Sequence, residues 1–469
     1  MNVREALSRS SGPPGPPARP RPTMRGPRAV PALLCVLALA GCSLVGGGKA
    51  PAPGGRPGGE VVPPGAPRPV APGVEYVPPA RRFREVRGLW VVRSTMTSSR
   101  EIRTMVSRAA DAGFNTLIVQ VRGRADAFYR SRWEPPGRTL PGGDNGFDPL
   151  ALVIQEAHRR GLAVHAWVNT HLVWGMGELP ARADHMVRAH PEWLAVPREL
   201  GRALFDADPT DPKFVEALHT YAQEHRDRVE GIYSSPSHPA VKERVYAVWM
   251  NLVDHYDLDG IHFDYVRYPS GAFDYSRGAL ERFRVWVRSR LSPERRRALE
   301  AAYRNDPYAY ADALPGPWGE FRRAQITDLV ERIYYGVKAR KPEVVVSAAV
   351  FANAADAYGA RFQDWKRWLA RGILDVVVPM AYTTDDARFR SQIEEARKAA
   401  GVRSRVWAGI GAFRNTFQGT VDKIEIARKA DAGGVVLFSY DWTVQQDARA
   451  RQGEAPYLIR IARAAFGRR

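Results

Sequence analysis

The chain has 469 residues, 45% hydrophobic and 25% charged, with a formal net charge of +19. This is the composition of a soluble globular protein with enough apolar material for a sizeable core. The two cysteines, Cys35 and Cys42, both lie in the N-terminal segment, which excludes a disulfide scaffold and a zinc cluster; no metal or other cofactor is expected.

The positive charge is mostly arginine, and loss of residues 1–41, with six arginines and one glutamate, would leave +14. The arginines are scattered over predicted helix faces, with no basic arm and no recognisable nucleic-acid module. The charge therefore reads as a solvated surface drawn to anionic lipid or polymer, with no nucleic-acid partner.

From Met24, an alternative start, the sequence MRGPRAVPALLCVLALAGCS has two arginines, an apolar run over 29–40 and then small residues. Residues 1–41 are thus expected to be a signal peptide. A run of about 12 residues is too short to cross a hydrocarbon core of ~30 Å. Leu39-Ala40-Gly41-Cys42 resembles the bacterial lipobox, which implies an acylated (palmitate-bearing) Cys42; a plain secretory signal with an incidental cysteine is the alternative. By the same resemblance, Ser43 after the cysteine implies the periplasmic face of the outer membrane. Residues 42–80, dense in Gly and Pro, read as the lipidated cysteine and a tether.

Residues 81–469 are expected to form one catalytic domain. Eight short apolar runs occur at 87–92 (RGLWVV), 115–121 (NTLIVQV), 162–169 (LAVHAWVN), 259–265 (DGIHFDY), 343–350 (EVVVSAAV), 374–382 (LDVVVPMAY), 405–411 (RVWAGIG) and 433–440 (GGVVLFSY). Helical stretches follow them, and Ala112-Gly113, Arg160-Gly161, Arg371-Gly372 and Ala432-Gly433 read as helix ends. Eight apolar strands alternating with helices predict an α/β fold, a (β/α)8 TIM barrel. Connections of about 70 residues after strand three and about 55 after strand four are long insertions. Their aromatics, Trp174, Trp193, Trp286, Tyr303 and Trp318, fit either a sugar-binding groove or packing of the insertions onto the barrel.

Polar residues at strand C-termini are the functional candidates in such a barrel. Strand alternation puts His262 and Asp264 on one face, with Asp264 at the C-terminal end, while Asp259 sits at the opposite end and reads as structural. Asp264 fits either a carboxyl tuned for proton transfer or nucleophilic attack, or a buried salt bridge to Arg267. Other strand-end carboxylates are Asp126, Asp385, Asp386 and Asp441, of which Asp126 and Asp441 join Asp264 as the catalytic candidates. Candidate substrate-binding residues are Arg122, Tyr129, His165, Trp167, Asn169, His262, Arg267, Tyr382 and Tyr440; Gln120 and Trp442 extend this polar lining. For the trio His165, Trp167 and Asn169, a packed barrel layer is the equal alternative.

Arg87-Gly88-Leu89-Trp90, Val121-Arg122 with Asp126 to Ser131, Glu156 to Gly161 with His165 to Asn169, and Asp259 to Pro269 occur in this order. They resemble the bacterial glycosyl-hydrolase-like lipoprotein family that includes the glycosidase DigH, over about residues 85–445. The resemblance implies a (β/α)8 fold, an envelope location and hydrolysis of a polysaccharide, with peptidoglycan glycan strands favoured. Such hydrolysis generally takes two carboxyl groups, or one with help from a substrate N-acetyl group. Tyr265 stands where that family commonly has a second Asp, and His171 where it often has Arg. The strand-four motif is also similar to that of family 18 chitinases, with Val266 in place of their catalytic Glu. Asp264 and Tyr382 would then match residues that orient an N-acetyl group. The alternative function is a non-catalytic glycan-binding lipoprotein of the wall.

Overall fold

The computed structural model describes residues 83–140, 146–450 and 452–467. The signal peptide, Cys42 and the tether lie outside the described residues. The strands are β1 (Val86–Val91), β2 (Thr116–Arg122), β3 (Ala163–Asn169), β4 (Leu172–Trp174), β5 (Ile232–Tyr233), β6 (Gly260–Asp264), β7 (Val345–Phe351), β8 (Val376–Met380), β9 (Trp407–Gly411) and β10 (Gly434–Phe438). Eight of them close into a barrel in the order β1-β10-β9-β8-β7-β6-β3-β2, every pair parallel, while β4 and β5 form a separate antiparallel pair. The barrel strands are the eight apolar runs, and the helices between them complete the (β/α)8 architecture.

Local chemistry sets the helix boundaries. Ser98 and Asp148 accept backbone N–H bonds at the starts of helices Ser99–Asp111 and Pro149–Arg159, satisfying donors that have no intrahelical acceptor. Gly113, Gly161 and Gly372 follow their helices at φ of 74°, 73° and 66°, the left-handed conformation of a helix C-terminus. At the fourth predicted helix end the pattern differs: Asp431 takes the left-handed conformation (φ 55°), and Gly433 is needed for space, because a Cβ there would lie 2.5 Å from the Arg403 carbonyl oxygen.

Alternate residues of the barrel strands fill the interior. Val86, Trp90, Ile118, Trp167, Val345, Val376, Val378, Trp407 and Val436 form one buried cluster. The insertion after β6 has its own core, in which Tyr275, Phe283, Tyr308, Trp318 and Phe321 are buried and Trp286 and Tyr303 pack against them. Trp193 stacks on His190 at 3.8 Å, and Trp174 meets His185 edge-on at 5.0 Å. Packing thus accounts for all five insertion aromatics, and none of them lines the cavity at the barrel mouth.

Candidate active site

A cavity of about 390 Å³ opens at the C-terminal end of the barrel, within the size range of small-molecule sites. Its apolar walls come chiefly from the barrel itself: Trp90, Trp167, Phe351, Met380, Tyr382 and Phe438, joined by Tyr265 and Phe413. Its polar lining comprises Gln120, Asn169, Asp264, Glu230 and the arginines Arg93, Arg124, Arg226, Arg267 and Arg414.

Asp264, the last residue of β6, is 8% exposed and reaches this cavity. Its Oδ1 accepts the Tyr265 backbone N–H at 2.7 Å, and its Oδ2 accepts the Trp167 indole N–H at 3.1 Å. Burial pushes its carboxyl up to about 6, against the opposing pull of Arg267 and of those two donors. Tyr265 holds the left-handed conformation (φ 49°), unusual for a bulky residue and a local strain placed directly beside the carboxylate. Neighbouring polar groups are linked: Trp167 also donates to Asn169 Oδ1 at 2.9 Å, Asn169 donates to the Gly123 carbonyl at 3.0 Å, and Arg93 donates to Gln120 Oε1 at 3.0 Å.

Of the other predicted site residues, Trp167, Asn169, Arg267 and Tyr382 line the same cavity as Asp264. His262 lies beneath its floor, fully buried. Trp90 can only donate, and its indole N–H meets His262 Nε2 at 3.2 Å, so that nitrogen carries no proton and the ring is neutral, with Nδ1 on Ser347 Oγ at 2.9 Å. Burial drives its pKa well down, in agreement. His262 thus orients Trp90 and does not face a ligand.

His165 sits one layer lower still, against Gly260, where a Cβ would come within 2.4 Å of the imidazole; for this member of the trio the structure gives the packed layer. Arg122 turns away from the cavity into a buried ion pair with Glu134 at 2.7 Å and donates to the carbonyl oxygens of Asn169 and Thr170. It therefore clamps the end of β3 and is not positioned to touch sugar. Tyr129 is buried edge-on to Tyr256, and Tyr440 is buried at the first turn of helix Tyr440–Asp447; neither lines the cavity.

The proposed partners of Asp264 are also placed elsewhere. Asp126 Oδ1 accepts the N–H groups of Gly123 (3.2 Å) and Arg124 (2.7 Å), and its Oδ2 lies 4.0 Å from Arg93 Nε. It holds the turn that carries Arg124 and pairs with Arg93 from the segment after β1. Asp441 accepts Val92 N–H at 2.7 Å and the hydroxyls of Ser94 and Thr95 at 2.9 and 2.6 Å, so its oxygens are committed to the turn after β1. Asp385 caps helix Asp386–Ala400, and Asp386 pairs with Lys423. Asp259, at the far end of β6, accepts from His158 and the Val164 N–H, as its structural reading expects.

Arg267 pairs with Glu230 at 2.8 Å and also donates to the Tyr233 hydroxyl and the Tyr268 carbonyl, so the salt bridge to Asp264 considered as its alternative role is not formed among the described residues. Among the polar and aromatic lining residues, those that sequence reasoning missed include Glu230, Arg93, Arg124, Arg226, Phe413 and Arg414. Glu230 reaches the mouth from the β3–β6 insertion, where the two-residue β5 carries no periodicity signal; the short motif Glu230-Gly231-Ile232-Tyr233 was the one clue. Among the described residues no group of three or more His, Cys, Asp or Glu could hold a metal ion, and no helix is long and apolar enough to cross a membrane.

The family model for Glycosyl hydrolase-like 10 matches residues 85–411, more than half of the chain. The chain belongs to this family. Glycosyl hydrolase YngK of Bacillus subtilis is 25% identical over 343 residues, 66% of this chain and 56% of YngK. Glycosyl hydrolase DigH of Escherichia coli K12 is 28% identical over 291 residues, 58% of this chain and 55% of DigH. The chain thus spans about half the length of these relatives. Among solved structures, the catalytic domain of β-amylase from Paenibacillus polymyxa superposes with a TM-score of 0.52 at 11% identity, covering 82% of this chain and 98% of that one. The glycoside hydrolase domain of PgaB from Bordetella bronchiseptica gives 0.50 at 15%, covering 78% and 97%. At these identities the likeness establishes the (β/α)8 fold alone.

Proposed function

We propose that this Glycosyl hydrolase-like 10 member is a glycoside hydrolase of the cell envelope that cleaves glycan strands, with peptidoglycan as substrate. The observation that carries the reading is a buried carboxyl, Asp264, at a barrel-strand end in an aromatic-walled cavity. Burial favours the protonated form of Asp264, which suits it to protonate a glycosidic oxygen as the bond to the anomeric carbon breaks. Trp90, Trp167 and Tyr382 offer faces for sugar rings, and Asn169 and Gln120 offer hydrogen bonds to hydroxyls. Five lining arginines against two carboxylates suit a strand bearing anionic groups, such as the lactyl carboxylates that wall glycan exposes where it carries no peptide. The lipobox-like segment ending at Cys42 would hold the protein at the outer membrane, with the Pro- and Gly-rich tether setting its reach.

The test is to incubate the purified full chain with peptidoglycan glycan strands, bare and peptide-bearing, and to follow new reducing ends by mass spectrometry. Cleavage by the wild type that is lost in Asp264→Asn supports the reading. Intact strands that co-sediment with the protein favour a glycan-binding module instead. Incorporation of labelled palmitate, lost in Cys42→Ala, checks the anchor separately.

A further inference from the structure

We propose that Glu230 is the second catalytic carboxylate, the ionised partner of Asp264 in glycoside cleavage. This rests on the glycosidase reading above. Asp264 and Glu230 are the carboxylates among the described residues lining the cavity, whereas Asp126, Asp385, Asp386 and Asp441 are engaged in capping, turns or a lysine pair outside it.

The fold goes to some length to place Glu230 there. Gly231 has φ 149°, and a Cβ on it would sit 1.9 Å from the Trp174 carbonyl oxygen, so only glycine lets β5 close against β4 and carry Glu230 over the barrel mouth. Its Oε1 accepts from Arg267 at 2.8 Å and its Oε2 accepts the Tyr233 hydroxyl at 2.6 Å, while 19% of its side chain stays exposed. Burial alone would favour the neutral acid, but the Arg267 charge and these bonds pull Glu230 well below the ordinary carboxylate range. The two cavity carboxyls are therefore driven apart, one toward the proton donor and one toward the anion, as a two-carboxylate glycosidase needs.

In the proposed step the Asp264 proton passes to the glycosidic oxygen, which keeps the electron pair of the breaking C1–O bond. The new pair to C1 comes either from a water oxygen whose proton Glu230 takes, or from Glu230 itself, in which case the glycosyl ester is then broken at C1 by water that gives its proton to the Asp264 carboxylate and Glu230 leaves with the pair. In a Glu230→Ala variant, azide can supply that pair from the same face, forming a C1–N bond with inverted configuration while Asp264 still protonates the leaving oxygen.

The experiment compares full-length wild type, Glu230→Ala and Glu230→Gln on peptidoglycan glycan strands, with and without sodium azide. Glu230→Ala should lose cleavage by about 100-fold or more and regain it with azide, releasing a glycosyl azide of inverted configuration. A lasting loss with no azide adduct, or an adduct of retained configuration, overturns the proposal. Glu230→Gln, which keeps an acceptor for Tyr233, decides the matter if the alanine variant does not fold: kcat should fall by about 100-fold with KM little changed, and a kcat within about tenfold of wild type overturns the assignment. A wild type inert on every strand overturns the glycosidase reading itself, and this proposal with it; an active wild type with active Glu230 variants overturns this proposal alone.

Discussion

Trp167 donates one indole N–H to both Asp264 Oδ2, at 3.1 Å, and Asn169 Oδ1, at 2.9 Å, so the β3 end fixes the orientation of the β6 carboxyl. That shared proton has a consequence for pH dependence. Burial raises Asp264 to about 6 and the indole bond opposes the rise. If Asp264 is the acid, kcat/KM on glycan strands falls as pH climbs through about 6. Trp167→Phe removes the opposing bond, so this alkaline limb moves to higher pH; a limb that stays in place or moves lower contradicts the role.

A second prediction concerns stability. Burial pushes the folded carboxyl of Asp264 up to about 6, above the 3.8 of a free aspartate, so between these values the folded state binds more protons than the unfolded one. Its contribution to stability is therefore lost as pH rises through that window. Asp264→Asn abolishes the dependence. Relative to wild type, the variant should gain about 2 kcal/mol between pH 4 and pH 7, read from urea unfolding at both values. Any fixed cost of replacing a carboxylate oxygen by an amide cancels in this difference.

A third follows from the buried pair of Arg122 and Glu134, each with a side chain 1% exposed. Glu134→Ala leaves a guanidinium uncompensated in the interior and should cost about 3–5 kcal/mol, measured by denaturant unfolding. A loss under about 1 kcal/mol, comparable to that of a surface pair, would mean that Arg122 is not the clamp described.

The fourth tests the placement of Glu230. Gly231→Ala must displace either β5 or the Trp174 carbonyl. Glycan cleavage should drop by about tenfold or more while the far-ultraviolet circular dichroism of the barrel is retained. Full activity in this variant would show that the position of the hairpin does not matter.

The barrel was legible because its signals are local and repeated: each strand is a short apolar run, and several of the helices that lead into strands end in a glycine. Asp264, Trp167, Asn169, Arg267 and Tyr382 could be read as cavity candidates from strand alternation and chain direction. Depth along a strand was harder to judge, since His165 and His262 share the inward face with Trp167 and Asp264 but lie in or below the floor. The capping roles of Asp441 and Asp126 depend on turns whose backbone donors have no sequence signature. Glu230 was out of reach because it is brought to the mouth by a hairpin of very short strands, and its tie to Arg267 spans 37 residues.

The most direct test of the account is the initial rate of new reducing ends from peptidoglycan glycan strands at pH 6, wild type against Asp264→Asn, with both proteins shown to be folded by their unfolding midpoints. The account predicts measurable wild-type cleavage and a loss of about 100-fold or more in the folded variant. A folded Asp264→Asn protein that cleaves at the wild-type rate would contradict it.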